Sequence, residues 1–420
     1  MTGGMTMASE MKDQLKHRKG SRKVTFLTKE GTPLKNQPVT IKQVRHGFLF
    51  GCTEFSAIPY ANGELQGRDK ELAEERFKLF FELFNYTTLP FYWGMFEHVK
   101  GRPETARMKK ASLWLTENGV KLKGHPLCWH TATAPWLLEL SNRDILTAQL
   151  NRIRRDVTNF AGIVDIWDVI NEVVIMPIFD KYDNGITRIC KELGRIRTVR
   201  EMFAAAKKAN PDAVLLINDF ETSESYEILI EGCLEAGIPI DAIGIQSHMH
   251  QGYWGVEKTL RVLERYSRFG LPIHFTENTL VSGKLMPPEI VDLNDYVVDE
   301  WPSTPDGLIR QAEEIETHYR TLFSDPHVQS ITWWGFTDGG WLKAPSGLLT
   351  ADSQIKPAYE ALRHLIKDEW WTKAAGLVTD DSGSVTVTGF IGDYEADIKG
   401  MKVKIHVDKD ESPCEITLPM

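Results

Sequence analysis

From about residue 47 to residue 368, short apolar runs rich in β-branched residues alternate with stretches whose apolar positions recur every three or four residues. Apolar runs bounded by turn residues read as strands buried on both faces, and the periodic stretches as helices with one apolar side. Eight strands are expected, at 47–53, 85–90, 120–129, 163–172, 213–219, 241–248, 272–277 and 330–336. Between them, Leu72, Phe77, Phe80, Phe81 and Phe84 share one face of a helix over 70–84, and Gly119 closes another over 104–118. Eight strand–helix repeats of this kind predict an α/β fold, a (β/α)8 barrel, whose functional groups stand at the C-terminal ends of its strands.

The flanks have a different period. Residues 23–31, 39–45, 384–390, 394–398, 401–407 and 415–418 alternate apolar and polar as strands do. Neither flank can bury a sheet face alone, so the two ends of the chain are expected to pair into one small β-sandwich, sealed by Trp370 and Trp371. The expected organisation is a leader or tag over 1–20, a sandwich from 21–46 plus 369–420, and a catalytic barrel over 47–368. Two segments between a strand and the next helix are long, at 173–197 and 281–307, and read either as functional, lid-like loops or as tolerated insertions.

Composition narrows the ligand. With 49 Lys and Arg against 58 Asp and Glu the chain carries a formal charge of -9, which disfavours nucleic acid and favours a neutral or cationic partner. No run approaches the roughly 20 apolar residues of a membrane helix, so no membrane partner is expected. The basic residues between Lys16 and Lys23 read as part of the solvated leader. The five cysteines have no CxxC spacing, so neither a disulfide framework nor a metal site is expected. No secretory signal stands in residues 1–20, whose MTGGMTMAS opening is tag-like. The protein is read as cytoplasmic, or as secreted with its signal absent from this sequence. Oligomeric state is not legible.

The chemistry lies in two phrases, Trp167-Asp168-Val169-Ile170-Asn171-Glu172 and Ile273-His274-Phe275-Thr276-Glu277-Asn278, each ending an apolar run with a glutamate. Paired carboxyl groups on strand ends suit retaining glycoside hydrolysis, in which a carboxylic acid protonates the leaving oxygen while a carboxylate about 5 Å away attacks the sugar carbon. Around them the strand ends supply His125, Trp129, Asn171, Gln246, His248, Trp334 and Trp341. Indole faces pack on sugar CH groups, and amide and imidazole groups pair with hydroxyls, so this set suits a pyranose better than a metal, and no cofactor is expected. Asp168 reads as half of a buried ion pair.

These phrases, with GHPLCWH (124–130), Asn218-Asp219-Phe220, IGIQSHMH (243–250) and WGFTDGGW (334–341), resemble glycoside hydrolase family 10, the retaining β-1,4-xylanases. The resemblance covers roughly 47–365. It implies Glu172 as acid/base, Glu277 as nucleophile and Asn171 on the sugar 2-hydroxyl. His125, Trp129, Gln246 and His248 line the same subsite, with His248 or Gln246 orienting Glu277 and with Trp334 and Trp341 as floor and wall. The implied substrate is xylan or xylo-oligosaccharide.

One stretch departs from the family. Where its second strand ends in Thr-x-Glu-Asn-x-x-Lys, this chain has Thr88 to Gly94, with Pro90, Phe91 and Gly94 in place of the Glu, Asn and Lys. Ala132 stands where a glutamine is usual. Each lost sugar contact costs about 0.5 to 1.5 kcal/mol. Either Tyr92, Trp93, Tyr253 or the 281–307 loop rebuilds this distal subsite for endo action, or the segment blocks it and leaves an exo-acting β-xylosidase for short or aryl xylosides. A non-catalytic sugar-binding protein is the alternative from another class.

Overall fold

The computed structural model describes residues 15–409 and 412–420. Two strands lead, β1 (Lys19–Thr28) and β2 (Pro38–His46). Eight follow: β3 (Leu49–Cys52), β4 (Tyr86–Pro90), β5 (Lys121–His125), β6 (Ile166–Asn171), β7 (Val214–Asp219), β8 (Ala242–Met249), β9 (Ile273–Leu280) and β10 (Val328–Trp333). The last five are β11 (Ala375–Val378), β12 (Ser384–Phe390), β13 (Gly392–Ile398), β14 (Met401–Val407) and β15 (Cys414–Leu418). The chain separates into two compact units, Phe50–Ala361 and a second made of the residues up to Leu49 with Leu362–Met420.

Strands β3 to β10 close into a barrel in sequence order, β10 returning to β3. Every expected barrel strand is present. The third stops at His125 rather than running on to Trp129, because Pro126 has no N–H to give to a ladder, and the next donor, Leu127, bonds the Asp168 carbonyl at 2.9 Å instead. The expected helices lie at Gly67–Leu83 and Thr105–Glu117.

The cut ends of β4 and β5 are held by one buried side chain. Arg152, in the helix Asn142–Phe160, donates to the carbonyls of Leu127 at 2.5 Å, Pro126 at 3.2 Å and Phe91. Ser141 caps that helix through the Asp144 N–H. A buried guanidinium thus satisfies carbonyls that no strand neighbour reaches.

The smaller unit holds two sheets, β12-β1-β15 and β11-β2-β13-β14, with Val24, Phe26, Val39, Ile41, Val387, Tyr394, Ile398 and Val407 packed in one core. Trp370 is buried, and Trp371 lies beneath the Lys367 ammonium at 3.9 Å; neither belongs to the core between the sheets, which is built from aliphatic side chains with Phe26 and Tyr394 rather than sealed by a tryptophan pair. β11 was not expected, since its four residues are mostly exposed and show no alternation.

Residues 1–14 of the expected leader lie outside the described residues. The remainder is not a leader: β1 starts at Lys19, the Arg18 guanidinium sits 4.7 Å over the Phe48 ring, and Arg22 donates to the His406 carbonyl at 2.8 Å. The basic run is therefore a short 3-10 helix, Lys16–Arg18, followed by the start of β1.

Barrel packing depends on Gly124, where an added Cβ would lie 2.1 Å from the Trp167 ring. Gly124→Ala is expected to cost about 1 to 3 kcal/mol by overpacking and to lower the thermal unfolding midpoint. An unchanged midpoint would contradict this packing.

Candidate active site

Four strand ends converge by register. Asn171 on β6 pairs with Asn218 on β7, Asn218 with Gly244 on β8, and Gln246 on β8 with Glu277 on β9. Gly244 makes room for the convergence, because a Cβ there would sit 2.3 Å from the Asn218 side-chain oxygen.

Asn218 lies at the centre. Its Nδ2 donates to Asn171 Oδ1 at 2.7 Å and to Glu277 Oε1 at 3.0 Å, while its Oδ1 accepts from the Thr276 hydroxyl at 2.6 Å. Two acceptors on the nitrogen side fix the amide's orientation. Asn171 in turn donates to Glu172 Oε1 at 3.1 Å. One unbroken amide chain therefore runs from Glu277 to Glu172.

Glu172 follows the last residue of β6 with φ +56°, a left-handed conformation that bulky side chains rarely adopt. Strain of this kind costs about 1 to 3 kcal/mol and concentrates where geometry serves function. Its backbone N–H is held by the Asn218 carbonyl at 2.8 Å. Trp129 Nε1 donates to its Oε2 at 2.8 Å and Gln246 Nε2 to its Oε1 at 3.2 Å.

Glu277 is buried. His248 Nε2 donates to its Oε2 at 3.1 Å, and His125 Nε2 lies 3.9 Å from Oε1. Behind His125, the Asp168 carboxylate takes the imidazole Nδ1 at 2.7 Å and the Lys123 ammonium at 2.5 Å, all inside the barrel. Asp168 is thus the ion-pair member expected.

The environments push the two glutamates apart. Burial, reinforced by the charge of Glu277, raises Glu172 to about 7 against the opposing bonds from Trp129, Gln246 and Asn171. Burial alone would also raise Glu277, but His125, His248 and Lys123 outweigh it and hold the carboxyl below its ordinary value. Two carboxyl groups in one network thus favour opposite protonation states near neutrality.

The other expected residues fall around this pair. Trp334 meets the His125 ring edge-on at 5.4 Å, and Trp341 packs on His248 at 4.7 Å. Gln246 does not orient Glu277; it bonds Glu172 and, at 3.1 Å, Asn171 Oδ1, which leaves His248 as the imidazole partner of Glu277. Asn218 and Thr276 are site residues beyond those the sequence points to, although Gly244, a glycine inside a buried strand, is a legible sign that a neighbouring group needs its space. Asp219, buried and pushed up to about 8 mainly by that burial, accepts the N–H groups of Val174 and Glu221 and so ties the loop after Glu172 to the loop after β7.

The substituted segment is repacked rather than empty. Phe91 is buried against Trp167, Phe160 and Phe96, and Trp93 is buried with its indole N–H on Glu97. The Gly94 N–H bonds the Ala132 carbonyl at 2.7 Å, where a Cβ on Gly94 would lie 2.7 Å from the Thr133 carbonyl oxygen. The two substituted places thus close on each other. Of the proposed replacements, Tyr92 reaches the pair: its ring stands 5.8 Å from His125 and 5.7 Å from Trp129, and its phenol lies in the fields of Glu277 and Glu172. Trp93 does not line the site, and Tyr253 packs on His318 instead.

The segment 173–197 is not one loop, since Asn184 caps a helix at Gly185–Leu193 that buries Ile186, Ile189 and Cys190.

The model of the family described as Glycosyl hydrolase family 10 matches residues 89–365. The chain is 28% identical over 298 residues to endo-1,4-beta-xylanase B of Thermotoga neapolitana, covering 66% of this chain and 78% of that protein. It is 28% identical over 266 residues to an endo-1,4-beta-xylanase of Geobacillus stearothermophilus, covering 58% and 74%. Xylanase 10B of Thermotoga petrophila RKU-1, solved with xylobiose, shares the fold with a TM-score of 0.62 at 24% identity, over 77% of this chain and 95% of that one.

Opposite shifts have opposite linkage. Glu172 holds its proton more tightly folded than unfolded, so between about pH 4.5 and 7 it costs stability as pH rises, the full penalty being present above 7. Glu277, held below 4.5, contributes stability that is present above 4.5 and lost as pH falls through its folded value. Thermal midpoints of Glu172→Gln relative to wild type should therefore rise with pH between about 4.5 and 7 and then level off. A difference independent of pH would contradict the raised carboxyl.

Proposed function

The chain belongs to glycosyl hydrolase family 10, and from that premise we propose that it hydrolyses β-1,4-xylosidic bonds of xylan and xylo-oligosaccharides with retention of configuration, Glu172 acting as acid/base and Glu277 as nucleophile. The observation that carries these roles is two carboxyls joined by one amide chain, Glu172 bonded by neutral indole and amide donors and Glu277 set against two imidazoles.

In the first step the ionised Glu277 attacks the anomeric carbon as the glycosidic C–O bond breaks. Glu172 gives its proton to the departing oxygen. The product is a glycosyl ester of Glu277 and a free hydroxyl on the leaving sugar. Esterification removes the Glu277 charge, one of the influences that raise Glu172, so the latter is then freer to remain a carboxylate. In the second step that carboxylate takes a proton from water, the oxygen attacks the same carbon, and the ester bond to Glu277 breaks. Two inversions give net retention.

The surrounding groups have roles suited to this sequence. Asn171 keeps an amide hydrogen beyond the one given to Glu172, available to a sugar 2-hydroxyl. Trp334 and Trp341 offer apolar faces for the ring, and Tyr92 supplies a phenol where the family's polar residues are replaced. Endo action agrees with the xylanase relatives. With Phe91 and Trp93 buried, recognition on that side rests on fewer side chains.

Reducing-end-labelled xylohexaose provides the test. Wild type should release labelled fragments of mixed length from the earliest times, and Glu277→Ala none. Glu172→Ala should lose about 10²- to 10⁴-fold on this substrate, yet far less on an aryl xyloside whose phenol leaves without protonation. Stepwise release of xylose would instead mean exo action. Equal losses on both substrates would remove Glu172 from the acid role, and no turnover of either by wild type would sink the assignment.

A further inference from the structure

The loops that follow the two catalytic glutamates are joined to each other. Lys181, in the loop after Glu172, places its ammonium 2.6 Å from Asp292 Oδ2 and 2.7 Å from Asp295 Oδ1, both in the loop after β9. In the barrel, β7 and β8 stand between β6 and β9. The two loops are therefore not neighbours by strand order, and the Lys181 contacts join loops that two intervening strands separate in that order.

Each foot of this arch packs on side chains that surround the catalytic pair. On one side Phe179 packs on His130 at 4.5 Å and on Tyr182 at 4.8 Å, and the Tyr182 phenol lies in the fields of both Glu172 and Asp292. On the other, Asn294 accepts the Trp341 indole N–H at 3.0 Å, and Trp341 packs on His248, the partner of Glu277. The β9 foot is built to hold its shape: Val281, Met286, Trp301 and Ala344 form a small core beneath it, and Gln251 bonds the carbonyls of Pro287 and Ile290. The clasp itself is open to solvent, with Lys181 39% and Asp295 62% exposed. An ion pair so exposed holds weakly and is screened by salt. The arch thus has a firm foot and a releasable fastening.

We propose that the Lys181–Asp292/Asp295 clasp bridges the gap in which the bond is cut and sets the enzyme's preference between chain lengths, admitting short xylo-oligosaccharides and aryl xylosides while it is closed and long xylan chains when it opens. A polymer lying between Glu172 and Glu277 continues beyond the cut in both directions and has to pass the arch. A short substrate enters from one end. The inference rests on the glycosidase reading above.

The experiment compares kcat/KM on soluble xylan with that on an aryl xylobioside for wild type, Lys181→Met, and the double variant Asp292→Asn/Asp295→Asn. Each variant should raise the xylan-to-xylobioside ratio by about two- to fivefold, the factor that matches the contribution of an exposed ion pair. Wild type should approach the variants' ratio between about 0.1 M and about 1 M salt, as the screening length falls from about 10 Å to about 3 Å, and the variants should show no such rise. Normal turnover with an unchanged ratio in both variants, or equal losses on both substrates, would overturn the clasp and leave the catalytic roles standing. Absence of wild-type turnover on either substrate would overturn the glycosidase reading and the clasp with it.

Discussion

Everything in the site depends on one electrostatic conflict. Two carboxyl groups share a hydrogen-bonded network in a mostly buried setting, where burial favours the neutral form of both, yet the chemistry needs one charged and one protonated. The chain resolves it by placing Lys123 and two imidazoles on the Glu277 side. Lys123 and the Asp168 carboxylate fix His125 against Glu277, and His248 bonds its other oxygen. Glu172 receives only neutral donors, Trp129, Asn171 and Gln246. Neutral donors oppose its raised pKa without abolishing it. The Asn218 amide makes the two environments interdependent, because its nitrogen serves Glu277 and the Asn171 side chain at once.

That arrangement explains several features of the barrel that packing alone does not require. Gly244 is small because Asn218 needs its space. Glu172 keeps a left-handed backbone that an ordinary strand end would avoid. A lysine and an aspartate occupy the barrel interior, where aliphatic side chains would pack at lower desolvation cost. Each is costly by itself, and each is intelligible as a support for the carboxyl pair.

Much of this was legible in the sequence, and what escaped shares a physical cause. Eight buried strands and their helices follow from period and turn residues, and Glu172 and Glu277 stand out because charge at the end of an apolar run is expensive without a purpose. Asn218 was harder to single out, since an amide after Leu-Leu-Ile at 215–217 gives no local sign that it bridges β6 and β9. Gln246 is expected, as an alternative to His248, to orient Glu277; strand register does pair it with Glu277, and only its side-chain geometry sends it to Glu172 instead. The early start of β1 was hidden because its first residues are basic and its partners, β12 and β15, lie more than 350 residues away in the chain. The replacement of polar residues around Pro90 to Gly94 and at Ala132 was visible as a departure, but only the structure shows the two places packed together.

The central claim is that Glu172 and Glu277 titrate far apart and in this order. Carbon-13 NMR of the glutamate carboxyls, assigned with Glu172→Gln and Glu277→Gln, measures it directly. The prediction is one apparent titration near 7 that disappears in Glu172→Gln, and a second below the usual glutamate value of 4.5 that disappears in Glu277→Gln. Two titrations in the ordinary carboxylate range, or the same two in reverse assignment, would contradict the account.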